Sequence, residues 1–169
     1  MAQIVGFTGS RHGFNSAQFV QTVAKSVSLA GHSVAVGCAS GVDALIRQAC
    51  PNAQVFKVAS PGAGLPVSMS VALARRSMAM VSACSVLVGF ASVSCPSGVS
   101  PSRHFSGGGS GTWASIAYAV SQGKRVFVFL APNVALPAWS GGAWVQAVPS
   151  GLWAGSFTWQ PSGSQLSLL

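Results

Sequence analysis

"SVLVGFASVSCPSGVSPSRHFSGGGSGTWASIAYAVSQGKRVFVFL", residues 85–130, places two short apolar runs on either side of a long loop and a helix. SVLVGF (85–90) and RVFVFL (125–130) are rich in β-branched and aromatic residues and have the length of buried strands. Thr112 to Gln122 is free of proline and is stopped by Gly123, which predicts a helix. The 21 residues between, 91–111, are dense in Ser, Pro and Gly. A connector of that length is expected to carry function rather than merely join two elements.

The same rhythm runs upstream. IVGFTG (4–9) reads as a buried strand. Asn15 or Ser16 can cap a helix to about Ala30, with Phe19, Val20, Val23, Val27 and Leu29 on its apolar face and Gly31 at its stop. SVAVG (33–37) is a second strand, SGVDALIRQAC (40–50) a short helix closing before Pro51, and AQVFKVA (53–59) a third strand. SPGAGLP (60–66) is a turn cluster, followed by a helix from Val67 to about Ala83. Strands and helices therefore alternate through residue 130. That pattern gives an α/β fold, a mainly parallel five-stranded core sheet with helices on both faces and right-handed crossovers. Ligands in such sheets lie beyond the carboxyl ends of the strands, where the turns after Gly9 and Gly37 and the loop from Phe90 to Gly111 all fall.

Past Pro132 the alternation stops. AWSGGAWVQAVPSGLWAGSFTWQP (138–161) holds Trp139, Trp144, Trp153 and Trp159 among glycines and prolines, and predicts one or two extra short strands, a hairpin around Pro149–Gly151, on the sheet edge. The expected organisation is a domain over 1–131, a Trp/Gly-rich extension over 132–161 packed on it, and a frayed tail over 162–169. A chain of 169 residues suits one ordinary domain.

Asp43 is the only acidic side chain, against nine Lys and Arg, so the formal charge is +8. The excess reflects missing acids, and the basic residues are scattered instead of forming the stripe of a duplex reader. Such a field favours anionic ligands. Two-carboxylate glycoside hydrolysis, carboxylate-caged Mg²⁺ or Ca²⁺ and EF-hand loops are excluded on inventory. Three histidines and four cysteines without CxxC or HxxxH spacing argue against a zinc site, and no metal or cofactor is expected. Cys38, Cys50 and Cys84 read as reduced thiols in apolar segments; Cys95 stays undecided. Apolar stretches break before the ~20 residues that span a bilayer, and MAQIVGFTGSRHG lacks the order of a signal peptide, so the expectation is a cytoplasmic protein without a membrane partner.

Chemistry concentrates in three loops. In SGGGSGT (106–112), Gly107, Gly108, Gly109, Ser110, Gly111 and Thr112 let backbone N–H groups surround an oxyanion beside a helix N-terminus, and a phosphate is the natural guest. No Lys-Ser/Thr pair follows, so it is not a Walker loop, and it does not follow the first strand as a dinucleotide loop would. FTGSRHG (7–13) offers Gly9, Ser10 and Arg11 to an anion; GCASGVDA (37–44) brings Gly37, Ser40, Gly41 and Asp43. Asp43 reads equally as an acceptor for a ribose hydroxyl or base N–H and as a helix-start partner. Arg75 and Arg76 interrupt an apolar helix about 100° apart, so one can lie in solvent while the other reaches the phosphate site.

TGSR, GCASGVDA, RRSMAMVSACSVLVGF, GGGSGT and GKRVFVF, in that order, resemble the SLOG superfamily, which takes in the Lonely Guy phosphoribohydrolases, the DNA-processing protein A (Smf) family and YpsA-related proteins. The resemblance covers residues 4–130, and SGVD with the GSR opening looks nearest the YpsA-related branch. It implies a Rossmann-like three-layer sandwich that binds nucleotides or nucleotide-derived molecules, often as a homo-oligomer. Lonely Guy enzymes carry an Arg before the fourth strand, matched by Arg76 or Arg75, and a P-G-G-x-G-T-x-x-E motif, matched at Gly108, Gly109, Gly111 and Thr112. Gly107 replaces the proline, and Ser115 stands where the catalytic Glu belongs. A serine hydroxyl cannot do that carboxylate's work. The leading expectation is a module binding a phosphorylated nucleotide or nucleotide-derived small molecule. The alternatives are a phosphoribohydrolase working through Asp43, Arg76 or Ser115, and single-stranded nucleic-acid binding with tryptophans as stacking platforms.

Overall fold

A computed structural model describes residues 1–59, 68–105 and 108–163. Gly107, the whole turn cluster at 60–66 and most of the expected frayed tail lie outside these. In chain order the elements are β1 (Ile4–Gly9), α1 (Ala17–Leu29), β2 (Ser33–Gly37), α2 (Val42–Ala49), β3 (Gln54–Phe56), α3 (Met69–Ala83), β4 (Val86–Ala91), α4 (Gly111–Ser121), β5 (Arg125–Leu130), β6 (Gly142–Gln146) and β7 (Ser156–Pro161). The strands form one sheet in the order β3-β2-β1-β4-β5-β7-β6. β1 pairs in parallel with β2 and β4, and β4 with β5, as in a Rossmann-like α/β fold. The tail adds an antiparallel hairpin, β7 beside β5 and β6 outside it, so the sheet has seven strands where the parallel core has five.

Alternate strand residues face two separate cores. Val5, Phe7, Val86, Val88, Phe90 and Phe129 pack with α1 and α2. Leu87, Ala91, Val126 and Val128 pack with Trp113 and Ile116 of α4 and Met80 and Val81 of α3. The central strands are covered on both sides, which is why they are apolar throughout rather than alternating. Phe90 stacks on Phe129 at 5.3 Å and receives the edge of Phe14 at 5.4 Å, a cluster that fastens the start of α1 over β4 and β5.

Local chemistry sets most boundaries. Of the two candidate caps, Ser16 starts α1, its hydroxyl accepting from Phe19 N–H at 3.1 Å. Ser68 and Ser110 do the same for α3 and α4. Two elements are shorter than their sequence suggests. α2 begins at Val42, not Ser40, because Gly41 takes φ +67 and is not helical. β3 spans three residues of the expected seven, since it is an edge strand whose only ladder is with the last residues of β2. Cys38, Cys50, Cys84 and Cys95 are all free thiols, Cys50 and Cys84 buried. Among the described residues no helix is long and apolar enough to cross a membrane.

Phe90 has no solvent exposure and joins the strand that precedes the long loop to α1. Phe90→Ala is expected to cost about 3–5 kcal/mol, read as a lower urea midpoint at unchanged slope.

Candidate functional site

β1 lies between β2 and β4, so the chain winds one way from β1 to β3 and the other way from β4 to β5. The loops leaving β1 and β4 consequently part at their carboxyl ends, opening a crevice at the reversal point. A cavity of about 590 Å³ occupies it. Its floor is Thr8 and Gly9 at the end of β1 and Ala91 at the end of β4. Its walls are Ser10, Arg11 and His12 after β1, Ala39 and Asp43 after β2, Leu73, Ala74, Arg76 and Ser77 on α3, and Gly109 to Trp113 at the start of α4.

Nine residues singled out in the sequence therefore meet in one place: Gly9, Ser10, Arg11, Asp43, Arg76, Gly109, Ser110, Gly111 and Thr112 all line the cavity. At the α4 end, Ser110 uses its hydroxyl to accept from Trp113 N–H at 3.2 Å and its carbonyl to accept from Ala114 N–H at 3.0 Å. The amides of Gly111 and Thr112, in the first helical turn, have no described protein acceptor and form the positive end of the helix dipole. Across the cavity, Ser10 turns its carbonyl inward, accepting from Gly13 and Val42 N–H groups, and its hydroxyl accepts from His12 N–H at 3.1 Å. Arg11 and His12 stay exposed at the mouth.

Of the paired arginines, Arg75 is exposed and Arg76 turns inward. Arg76 Nη1 lies 3.4 Å from Asp43 Oδ2, with the two side chains 11% and 8% exposed. Asp43 Oδ2 also accepts from Ala39 N–H at 3.2 Å. Burial pushes the Asp43 carboxyl above its ordinary value of 3.8, opposed first by the Arg76 charge, then by the Ala39 amide and Arg47. Gly37 makes the pair possible without touching the cavity, since a Cβ there would overlap the Arg76 guanidinium and Asp43 Oδ2. Gly37 also offers its carbonyl to Arg47 Nη1 at 2.8 Å. Ser40 and Gly41 are likewise structural: Ser40 donates to the Arg11 carbonyl at 3.0 Å, and the positive φ of Gly41 lets the turn close against the Ser10 and Arg11 backbone. Gly108 is exposed and lies off the cavity lining. Ser115 is buried, and its hydroxyl donates to the Gly111 carbonyl at 2.9 Å instead of facing the cavity.

Sequence reasoning missed the apolar side of the site. Val71 and Leu73 of α3, Val93 and Phe105 of the long loop and the buried Trp113 line the cavity together with the charged groups. On α3 the spacing of Ser70, Leu73, Ala74 and Ser77 around Arg76 is the helical stripe that identifies this face once Arg76 is known to turn inward. Trp113 Nε1 donates to the Val93 carbonyl at 2.7 Å and Trp139 Nε1 to the Val99 carbonyl at 2.9 Å, so tryptophans pin the long loop in place. Among the described residues no group of His, Cys, Asp and Glu is arranged to hold a metal ion.

No protein-family model matches the sequence. No curated protein matches it either. The fold is similar to that of DNA processing protein A from Helicobacter pylori, a protein whose solved structure concerns a unique single-stranded DNA binding mode. The likeness has a TM-score of 0.58 at 18% sequence identity and covers 75% of this chain and 65% of that one. This chain thus spans about two thirds of that protein's length, and what the two share is the fold.

Because Asp43 is the only side-chain carboxyl, its ¹³C resonance is unambiguous. It is expected to titrate above 3.8, and Arg76→Met is expected to raise it further by removing the largest opposing charge. The folded carboxyl then holds its proton more tightly than the unfolded one. Stability should fall as pH rises from 3.8 through the raised value, and Asp43→Asn should lack that slope.

Proposed function

We propose that the cavity binds the phosphate of a nucleotide or nucleotide-derived molecule. The observation that carries this reading is the convergence of the turn Gly9–Arg11 and the helix start Gly109–Thr112, where the Gly111 and Thr112 amides are open, with Arg11 and Arg76 on one crevice at the winding reversal. Amides at a helix start and a buried guanidinium are the groups that hold phosphate oxygens. The apolar wall of Val71, Leu73, Val93 and Phe105 suits a base or another flat ring. A cavity of about 590 Å³ lies within the range of ordinary ligand pockets and accommodates one nucleotide. The sequence resemblance to the SLOG superfamily, and the SLOG-like domain over 1–131 it suggests, agree with this assignment.

The site supports binding over N-glycosidic cleavage. Asp43 is held by Arg76 and by the Ala39 amide, and the Ser115 hydroxyl is spent on Gly111, so no carboxylate is free to activate water or face an oxocarbenium ion. Among the described residues the mouth also lacks any acid that would repel an anion.

A second reading, single-stranded DNA as the partner, is favoured by the fold likeness and by the charge of +8. A strand presents the same phosphates in series, and affinity would then fall steeply with salt. The tryptophans give it no support: Trp113 is fully buried, and Trp139, Trp144 and Trp159 pack against one another with ring centroids 5.3–5.9 Å apart rather than standing free as stacking platforms.

Nucleoside 5′-monophosphates at about 100 times their Kd are expected to raise Tm by about 5 °C or more. Arg11→Met and Arg76→Met are each expected to weaken binding about tenfold, the loss of one charge-assisted contact. No free base should accumulate by chromatography. An oligothymidylate that stabilises the protein where mononucleotides do not would select the second reading.

A further inference from the structure

Arg76 lines the cavity with its contacts made through Nη1 and its Nε left open. Its Nη1 lies 3.4 Å from Asp43 Oδ2 and 3.9 Å from Cys38 Sγ, while its Nε is buried with no hydrogen-bond partner among the described residues. A guanidinium carries five N–H donors, and a buried one seeks acceptors for all of them. The Asp43 contact is single and longer than the 2.7–2.9 Å typical of a charge-assisted bond. A phosphate dianion in the cavity offers the same guanidinium more charge and three oxygens. Its gain is Asp43's loss, because both acceptors approach one cation.

We propose that Asp43 is a built-in competitor for the ligand's phosphate: the entering anion takes over Arg76, and Asp43 accepts a proton from solvent as it loses its counter-ion. The proposal rests on the phosphate-binding reading above and adds to it that binding is linked to proton uptake. The groups facing Asp43 support this coupling. Arg76 approaches from α3, Arg47 lies one turn further along α2 and Cys38 sits in the turn before it. Arg11 and His12 lie in the turn after β1, on which the Ser40–Gly41 turn beside Asp43 closes, and neither β4 nor α4 contributes a charged side chain to the lining. Burial already drives the carboxyl toward its neutral form, with the Arg76 charge as the largest force holding it ionised. Diverting that charge releases the proton demand. Linkage is reciprocal, so protonation of Asp43 must tighten anion binding by the factor by which the anion favours protonation.

Inorganic sulfate is a suitable probe because it stays a dianion where carboxyls and histidines titrate. Sulfate is titrated into the wild type, Asp43→Asn and His12→Gln between about pH 4 and about pH 8, following backbone amide shifts and the Asp43 ¹³C resonance. Wild-type affinity should fall about tenfold as pH rises through the Asp43 titration, and saturating sulfate should move that titration up by about one unit. His12→Gln should keep both effects. Asp43→Asn should bind sulfate about tenfold more tightly than the wild type at neutral pH, without the dependence. The carboxyl titration needs no substitution, so it decides the matter even where Asp43→Asn does not fold. An Asp43 titration unmoved by saturating sulfate, with the Gly109–Thr112 amides still responding, overturns the competitor role and leaves phosphate binding standing. If neither sulfate nor adenosine 5′-monophosphate moves these amides or the carboxyl at any pH, both readings fall together.

Discussion

The parallel ladder between β1 and β4, from Val5 opposite Val86 to Gly9 opposite Phe90, joins segments about eighty residues apart and fixes where everything at the carboxyl edge goes. With β2 on the other flank of β1, the connections depart in opposite directions and leave room between them. Into that room come the turn after β1, the start of α4 and the inner face of α3. Were β4 paired elsewhere, Arg76 would not reach Asp43, and the glycine loop would sit apart from Ser10 and Arg11. The ladder is buried on both faces by two separate cores, which makes its register costly to change.

A buried ion pair at the centre of such a site is weak evidence for stability, since desolvation of both charges offsets their attraction. The Asp43–Arg76 pair makes better sense as a way to keep a guanidinium buried before an anion arrives. Without a counter-ion, Arg76 would have to leave the interior; with a tightly bidentate one, it would be unavailable. The observed contact is a single one at 3.4 Å. The absence of a side chain at Gly37 keeps this arrangement open, and the cost is a strand end that tolerates no Cβ.

Much of this was legible in the sequence because the signals were local. Apolar runs bounded by glycine marked the strands, Ser16 was one of two candidate caps for α1 while the Ser68 and Ser110 caps of α3 and α4 went unread, and small-residue turns after the first, second and fourth strands marked the ligand edge. The adjacency of β1 and β4 was not legible, because pairing order is set by packing between distant segments rather than by any one of them. For the same reason sequence placed Ser40, Gly41 and Gly37 among binding residues when their work is to shape the turn and make space for the ion pair. Ser115 occupies the motif position of a catalytic acid, yet its side chain bonds back to its own helix. The apolar wall was invisible, since Val71, Val93 and Phe105 come from three places in the chain and look like ordinary core residues. The Trp-rich tail was read as extra strands and does form a hairpin, because alternation of tryptophan with small residues is a strand signal regardless of context.

The central claim is that backbone amides at the winding reversal clasp a phosphate, and amide chemical shifts during titration with a nucleoside 5′-monophosphate test it most directly. The account predicts saturable shifts concentrated on Ser10, Arg11 and Gly109 to Thr112, with the Arg76 Nε–H signal moving alongside them. Shifts spread over the scattered surface Lys and Arg residues, or centred on Trp144 and Trp159 with the Gly109–Thr112 amides unmoved, would contradict it.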